Sequence, residues 1–296
     1  METLGGLNWP LSKAEDITSR AAHVFHERPS LLSSSHYTVI NPQMVEPVAK
    51  IRSYRIEDEK QVRFVIAKAA MEGLASANTK TILNPLSLSL WVLLTGLLIQ
   101  FMGWWPKQGD GILAYISLML PFGSAAVPVI LFSDWNNRWY FEDLSQHVLR
   151  GPDMVNFQEY YSKSAASGLW ILEFAGRLVG IIALDASPID KINSNQKVHD
   201  TAILRHIYVD EQYRSTGIQK DLIDYALQNA FTASNSAVTQ VKALSSPLRD
   251  YVRKALDETG FKYEGVSENI GLFRWKMSNR VLTKDEWKKK ITSDAK

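Results

Sequence analysis

Two long stretches without a charged residue dominate the hydrophobic pattern of the chain. The first lies between Lys80 and Lys107, and the second lies between Asp110 and Asp134. Each stretch exceeds the ~20 residues with which an α-helix crosses ~30 Å of hydrocarbon, and neither carries the polar stripe of a helix on a soluble core. Because only the link KQGD separates them, the pattern predicts a transmembrane helical hairpin at residues 81–133 with both flanks in one compartment.

Aromatic, proline and basic residues refine the predicted hairpin. Trp104 and Trp105 end the first span in the manner of an interfacial aromatic belt. Pro121 and Pro128 predict a kink in the second span, and they favour the alternative of two buried helices in a soluble core. The distribution of basic residues around the hairpin places its flanks, and with them both chain termini, in the cytosol.

Shorter patterns on both sides of the hairpin predict an α/β domain that the hairpin interrupts. Residues 51–56 alternate as a strand does, and from Glu57 onward apolar residues recur at helical spacing. After the hairpin the pattern predicts a helix at residues 141–161, broken at RGPD. The elements that follow are strands at residues 169–174, 178–186, 201–210, 237–244, 261–266 and 270–277 and helices at residues 218–231 and 246–258. Ser246 and Pro247 fit the cap and first turn of the last helix. The order β-α-hairpin-α-β-β-α-β-α-β-β indicates a mixed sheet flanked by helices.

The two ends of the chain lack this regular pattern. Residues 1–48 mix serine, proline, glycine and charge, and they are predicted to form a mostly irregular arm. Residues 279–296 form a basic tail that is predicted to be a solvated helix. The folded domain is therefore expected to consist of residues 49–80 ahead of the hairpin and residues 134–278 behind it.

Composition excludes several classes of function. A net charge of +2 gives no global case for a nucleic-acid partner. The absence of cysteine excludes a cysteine nucleophile, a disulfide framework and a thiolate metal site. The six histidines show neither HExxH nor a paired spacing, so no metal site is predicted.

Several segments, in this order, resemble the GNAT N-acetyltransferase superfamily over residues 49–278. They are IRSYRIEDEKQV, GRLVGIIAL, ILRHIYVDEQYRSTGIQKDLIDYAL and ALDETGFKYEG. The position of the apolar hairpin, after the first helix, resembles the membrane-bound GNAT enzymes of the endoplasmic reticulum. The resemblance implies a GNAT-like mixed α/β sheet, acetyl-CoA as cofactor and an amine as acceptor.

The resemblance assigns cofactor binding to the segment YRSTGIQKDL and the strand before it. In the family, a loop turns its N–H groups toward a pyrophosphate where the next helix begins. Arg214 and Gly217 match the family pattern Q/R-x-x-G-x-G/A, whereas Ser215 and Gln219 depart from it. The implied cofactor-binding residues are Ile207, Tyr208, Val209, Arg214, Ser215, Thr216, Gly217, Ile218 and Gln219.

The catalytic residues depart further from the family pattern. Many GNAT enzymes protonate the leaving thiolate with a tyrosine at the position that is Leu256 here. Tyr251, on the same helix, is the candidate replacement, with ordinary half-buried packing as its alternative role. His206 is the candidate base or relay, with a polar strand face as the alternative explanation. Further acidic candidates are Asp210, Glu211 and Glu173.

Functions of different classes follow from the resemblance. The first is a membrane-tethered N-acetyltransferase, with the lipid bilayer as partner, that acetylates an amine of a small molecule or protein on the cytosolic face of the endoplasmic reticulum. The second is a catalytically silent relative that resembles a fungal packaging factor for a phosphate transporter and acts as chaperone for a client membrane protein. Gln219 and Leu256 fit this second function. A third is a GNAT-like acyl-CoA sensor.

Overall fold

The computed structural model describes most of the chain. The described residues are 11–27, 48–106, 111–187, 189–190, 197–198, 200–233 and 236–294. The helices are α1 Leu11–Glu27, α2 Glu59–Ile82, α3 Pro85–Met102, α4 Ile112–Ser117, α5 Met119–Leu149, α6 Phe157–Tyr161, α7 Ile218–Thr232, α8 Asp250–Thr259 and α9 Lys284–Asp294. The strands are β1 Ala49–Ser53, β2 Gly168–Phe174, β3 Arg177–Asp185, β4 Ile189–Asp190, β5 Lys197–Val198, β6 Thr201–Val209, β7 Gln240–Ser245, β8 Lys262–Ile270 and β9 Trp275–Thr283.

Seven of these strands form one mixed sheet in the order β1-β2-β3-β6-β7-β9-β8. Only β6 and β7 run parallel, and every other neighbouring pair is antiparallel. The central strands are rich in β-branched and large apolar residues because both faces of the sheet are covered. The predicted mixed α/β sheet with flanking helices is confirmed.

Helices cover the sheet from two sides and produce two main apolar clusters. On one side α1, α7 and α8 pack on the sheet through buried residues such as Ile17, Leu222 and Val252. On the other side α2 and α6 contribute Ile66 and Phe157 to a separate cluster. The α5 helix packs along α2 on this second side, so the sheet faces a pair of long helices there.

Two helices of the described residues are long and apolar enough to cross a membrane. They occupy Pro85–Met102 and Tyr115–Leu149, and only 11% and 22% of their most apolar windows are buried within the protein. The two predicted apolar helices are present, and most of their side chains are exposed on the protein surface rather than buried as in core helices. The second helical run breaks at Leu118, three residues before Pro121, and then continues through Pro128.

The second apolar segment and the helix expected after it are one helix. The α5 helix runs without a break through Asp134 to Leu149, where a separate helix was predicted at residues 141–161. The chain then passes through the 3-10 turn Pro152–Met154 into the short α6 helix. Packing against α2 explains the continuity, because Phe141 of α5 is buried in the cluster that α2 shares.

The predicted irregular arm contains a docked helix. The α1 helix buries Ile17 and Ala21 in the core of the domain, and Thr18 Oγ1 accepts a hydrogen bond from the N–H of Ala49 at 2.8 Å. The apolar face of α1 is short, which is why composition alone suggested a loop. Residues 1–10 and 28–47 of the predicted arm lie outside the described residues.

The last elements of the domain are shifted from their predicted positions. The strand expected at residues 270–277 is β9, which begins at Trp275 and crosses the predicted 278/279 boundary because its residues from Ser278 to Thr283 pair with β7. The α8 helix begins after Arg249 rather than at Ser246, whose hydroxyl instead accepts a hydrogen bond from Leu248 N–H. In the predicted solvated tail, Trp287 packs against the core.

Candidate functional site

A cleft opens where β6 and β7 separate. These parallel strands pair only from Thr201 to Leu204, although β6 continues to Val209. Beyond the separation, the β6 backbone groups that face β7 need other partners. The carbonyl of Ile207 finds one in Arg249, whose Nη2 donates a hydrogen bond at 2.5 Å. The separation therefore leaves a backbone edge inside the protein that can bind a ligand.

A cavity of about 130 Å³ lies against this edge. Its walls come from α2, α5, β8 and β9, and most of them are apolar, including Ile66, Leu144 and Met277. His206 and Arg249 supply polar groups on the β6 side. The arrangement is an apolar pocket with a few polar groups at one end, which is the usual form of a small-molecule site.

His206 in this cavity is bound to a buried carboxylate. Its Nε2 lies 2.6 Å from Oδ2 of Asp153, and the side chain of Asp153 is only 2% exposed. The hydroxyl of Tyr161 donates to the same Oδ2 at 3.0 Å. Burial alone would raise the pKa of Asp153, but the hydrogen bonds from His206 and Tyr161 hold it below its ordinary value.

The ionised Asp153 suits His206 to act as a base. With the proton on Nε2 donated to Asp153, Nδ1 is the basic nitrogen, and the carboxylate stabilises the imidazolium that forms when His206 takes a second proton. Asp153 lies in the 3-10 turn after α5, within the RGPD sequence, 53 residues before His206. Sequence reasoning missed it, because an aspartate after Gly-Pro looks like an ordinary turn residue.

The predicted cofactor loop lies at the end of β6. The chain leaves β6 at Val209, makes the 3-10 turn Glu211–Thr216, passes Gly217 with φ +78° and enters α7. Gly217 is required here, because a left-handed φ strains residues that carry a Cβ. The first N–H groups of α7 have no carbonyls within the helix to bind, so the loop ends in a positive helix terminus.

Gln219 fits into this loop without projecting from it. Its side chain is 5% exposed and its Nε2 donates to the carbonyl of Arg214 at 3.1 Å. Arg214 in turn donates from Nε to the carbonyl of Val209 at 2.9 Å. The residue that departs most from the family pattern therefore braces the loop from inside, and the exposed Ser215 lies on its outer surface.

Glu72 of α2 joins the cofactor loop to Tyr251. Its Oε1 lies 2.5 Å from Nη2 of Arg214, and its Oε2 accepts a hydrogen bond from the Tyr251 hydroxyl at 2.9 Å. Arg249 also donates to that hydroxyl at 3.0 Å, and the Arg214 guanidinium lies 4.1 Å above the Tyr251 ring. Burial raises the pKa of Tyr251 even though Arg249 opposes the rise, so the phenol keeps its proton at neutral pH.

The structure separates the sequence-predicted candidates into those at the cleft and those elsewhere. His206 lines the cavity, and Tyr251 lies in the adjoining groove that Glu211 and Arg249 also line. Leu256 is fully buried in the core. Glu173 lies on β2, where it accepts a hydrogen bond from Arg52, and Asp210 is 4.0 Å from Lys68 beside the loop; neither lines the cavity or the groove.

Part of the chain matches a known family. Residues 131–247 match the model of the Acetyltransferase (GNAT) family. The matched segment includes His206, Asp153 and the cofactor loop, and it excludes α1, α2 and α3.

Two relatives illustrate the similarity. N-acetylaspartate synthetase of Xenopus tropicalis is 29% identical over 121 residues, which cover 40% of this chain and 39% of that protein. The probable N-acetyltransferase camello of the same species is 26% identical over 188 residues, covering 62% of this chain and 75% of that protein. This chain thus spans about two fifths of the length of the N-acetylaspartate synthetase that it matches.

Solved structures show a weaker similarity. Spermidine N-acetyltransferase from Vibrio cholerae, in complex with CoA and spermine, is 11% identical and covers 81% of this chain and 97% of that chain, with a TM-score of 0.43. The acetyltransferase of the GNAT family from Streptococcus pneumoniae is 12% identical and covers 79% and 99%, with a TM-score of 0.43.

Proposed function

We propose that this protein is a membrane-tethered N-acetyltransferase that transfers the acetyl group of acetyl-CoA to an amine at the cytosolic face of a membrane. The observation that carries the proposal is the separation of β6 from β7: beyond Leu204 the edge of β6 has no β7 partner, and the chain continues through the 3-10 turn Glu211–Thr216 to Gly217 and the first turn of α7. Backbone groups in the cleft suit an extended amide chain, and the helix terminus suits a pyrophosphate.

The residues present fit acetyl-CoA. The backbone of Ile207 and Val209 would hold the amide chain in place of Arg249 and Arg214, which bind their carbonyls in this structure, and the loop from Arg214 to Gln219 would hold the pyrophosphate. Gly217 allows the close backbone approach that such a loop needs. Acetyl-CoA supplies an activated thioester, so the protein has to position the acceptor amine, take its proton and protonate the leaving thiolate.

His206 and Tyr251 are assigned to the two proton transfers. The acceptor nitrogen bonds to the acetyl carbon while the carbon–sulfur bond breaks, and His206, held by Asp153, takes the proton that the nitrogen loses. Tyr251 is protonated at neutral pH and gives its proton to the thiolate. Exchange with water restores both groups, so the amide and free thiol form without a net proton change.

The cavity favours an acceptor with an apolar body. The name of the N-acetylaspartate synthetase relatives gives an acidic product for those proteins. Here the walls are mostly apolar, and Arg205 already binds Asp185 at 2.7 Å while Arg249 binds the Ile207 carbonyl. An acceptor carboxylate would compete with these contacts, so we infer that apolar primary amines are acetylated faster than aspartate.

The apolar hairpin supports attachment to a membrane, and the endoplasmic reticulum is the proposed one. A network of amides joins the hairpin to the domain, because fully buried Asn137 of α5 donates to Asn78 and Thr81 of α2 at 3.0 and 2.9 Å. Asn137 Oδ1 also accepts a hydrogen bond from Leu272 N–H at 3.0 Å. Exposed Trp135 lies two residues before Asn137, at a position where an interfacial aromatic residue is expected.

The deciding experiment uses the full chain in detergent. Acetyl-CoA binding is measured by calorimetry, followed by transfer of radiolabelled acetyl to octylamine and to aspartate. We expect micromolar binding of acetyl-CoA and faster transfer to octylamine. A flat calorimetric titration would refute the enzyme, and faster transfer to aspartate would refute the inferred acceptor class.

A second candidate function is supported by Leu256. This fully buried leucine occupies the position of the family's proton donor, as in a GNAT-fold membrane protein that has lost catalysis and serves as a packaging factor for a transporter. Absence of acetyl-CoA binding supports this candidate. Binding without transfer to any amine supports an acyl-CoA sensor, and binding with transfer excludes both.

A further inference from the structure

The α1 helix reaches the cofactor loop from outside the segment that matches the GNAT family. Its Ile17 and Ala21 are buried in the core, and Thr18 holds the backbone of β1, so the helix has a defined seat on the domain. Arg20 lies between these anchoring residues and faces the loop. The position of this arginine is therefore set by packing rather than by a flexible arm.

Arg20 binds two negatively polarised groups of the cofactor loop. Its Nη1 donates to the carbonyl of Thr216 at 2.6 Å, and its Nη2 lies 2.6 Å from Oδ2 of Asp221. A Cβ added to Gly217 would lie 3.3 Å from the same Nη1. Arg20 thus touches the residue before the left-handed glycine and the first turn of the helix after it. Asp16, one turn earlier on α1, also contacts Arg20 at 2.9 Å.

Asp221 presents an electrostatic problem for an anionic ligand. It lies in the first turn of α7, and its side chain is only 13% exposed. A carboxylate at this position interacts well with the helix dipole, but it opposes a pyrophosphate that is to bind at the same terminus. Like charges that are partly removed from water repel more strongly than exposed ones. An uncompensated Asp221 would therefore weaken binding of the cofactor.

We propose that Arg20 is a positioning residue for acetyl-CoA. Arg20 neutralises Asp221 and holds the Thr216 carbonyl away from the bound pyrophosphate. The inference rests on the proposed function. It makes α1 a part of the cofactor site, although Arg20 and Thr216 are 196 residues apart in the sequence. Loss or displacement of α1 would lower the affinity for acetyl-CoA without touching the acid–base groups.

Direct binding of a phosphate by Arg20 is the competing explanation. The Nε of Arg20 is buried and has no hydrogen-bond partner within the described residues, so this explanation assigns the Nε to a phosphate oxygen. The two explanations differ in the role of Asp221. Neutralisation requires Asp221 to be charged, whereas direct contact does not depend on it.

The test is a double-mutant cycle with the full chain in detergent. Acetyl-CoA affinity and steady-state kinetics are measured for the unmodified protein, Arg20→Gln, Asp221→Asn and the double variant. Arg63→Gln, which removes a surface pair with Glu59 on α2, is the matched control for loss of one arginine. Thermal unfolding establishes that each variant is folded.

The proposal predicts a specific pattern. Arg20→Gln raises the Kd and the KM for acetyl-CoA about tenfold, as expected for one unshielded charge near an anion. The kcat of this variant stays within about twofold of that of the unmodified protein. The double variant, which lacks the unshielded charge and also the Thr216 contact, regains most of the lost affinity, and Arg63→Gln keeps the affinity of the unmodified protein. Raising the salt concentration narrows the difference between Arg20→Gln and the unmodified protein.

Three outcomes would overturn the idea in distinguishable ways. Unchanged affinity in Arg20→Gln, with normal binding by the unmodified protein, refutes the role of Arg20 alone. A double variant that binds as weakly as Arg20→Gln shows direct phosphate contact and refutes neutralisation. If the unmodified protein does not bind acetyl-CoA, the proposed function itself fails, and this inference fails with it.

Discussion

The predicted cofactor loop and the cavity lined by His206 lie on neighbouring parts of one strand, yet they are built in different ways. The loop is nearly continuous in sequence, from Val209 through Gly217 into α7. The cavity joins His206 to Asp153 across 53 residues, and the adjoining groove joins Tyr251 to Glu72 across 179. The loop therefore depends on local backbone geometry, whereas the acid–base groups depend on how α2, α5 and the turn after α5 pack on the sheet.

The largest expected effect comes from the local element. Gly217→Val should weaken acetyl-CoA binding by at least about 100-fold, because a β-branched residue opposes the φ of +78° and the loop has to change shape to relieve the strain. Calorimetry checks this expectation. The matched control is Gly176→Val in the β2–β3 turn, which has φ +72° and open space around the added Cβ.

Both glycine variants should lose similar stability, about 1–3 kcal/mol for a strained residue, but only Gly217→Val should lose the cofactor. Equal loss of binding in the two variants would mean that general destabilisation, rather than the loop conformation, governs binding. In that case the local backbone conformation at Gly217 would not be what determines acetyl-CoA binding.

The next largest effect tests the long-range element. Asp153→Asn should lower kcat by about 100-fold, within the range of general acid–base catalysis, and should leave the Kd of acetyl-CoA unchanged. The amide keeps the size of the side chain but cannot stabilise the imidazolium of His206. Rapid-quench or steady-state kinetics measures kcat, and calorimetry measures the Kd of acetyl-CoA.

Asp185→Asn is the control for removing a buried carboxylate. Asp185 binds Arg205 and Tyr160 at 2.7 Å each. The turnover of this variant should exceed that of Asp153→Asn at least about tenfold, because the pairing of His206 with Asp153 is kept. Equal losses of kcat would remove the case for a His206–Asp153 base.

A smaller effect is expected at the proton donor. Tyr251→Phe should lower kcat about tenfold, because positioning of amine and thioester supplies much of the rate even without an acid. The ring and its contact with Arg214 are kept. Kinetics across the pH range provides the measurement.

The comparison variant at this helix is Leu256→Tyr in the Tyr251→Phe background. Leu256 is fully buried, so a tyrosine there overpacks the core and is expected to lower the unfolding temperature without restoring kcat. Restoration of activity by this variant would show that the family's usual donor position is still the functional one.

The smallest expected effect concerns stability and pH. The pKa of Asp153 in the folded protein lies below its ordinary value, so the ionised form stabilises the fold above the unfolded-state pKa of about 4. This contribution is lost as the pH falls through the folded-state pKa. The unfolding-temperature difference between the unmodified protein and Asp153→Asn should therefore be present at pH 7 and should narrow below about pH 4. A difference that does not change with pH would show that Asp153 acts only through packing.

Sequence patterns predicted the elements whose signals are local. The strands around GRLVGIIAL and the helix after Gly217 follow from apolar periodicity, and the two apolar helices follow from the absence of charge over long windows. Boundaries failed where tertiary contacts extend an element. The α5 helix continues beyond its apolar part because α2 supports it, and β9 continues to Thr283 because β7 pairs with it.

The sequence by itself determined most of the order of strands and helices, the two apolar helices and the strand–turn–helix around Gly217, because each depends on residues near one another in the chain. Only the tertiary structure decided that Asp153 serves His206, that Glu72 holds Arg214 and Tyr251, and that Arg20 of α1 reaches Asp221. Such pairs carry no spacing that a pattern can detect. They form because burial places charged side chains where water cannot solvate them, and each then needs a partner of opposite charge or a hydrogen bond.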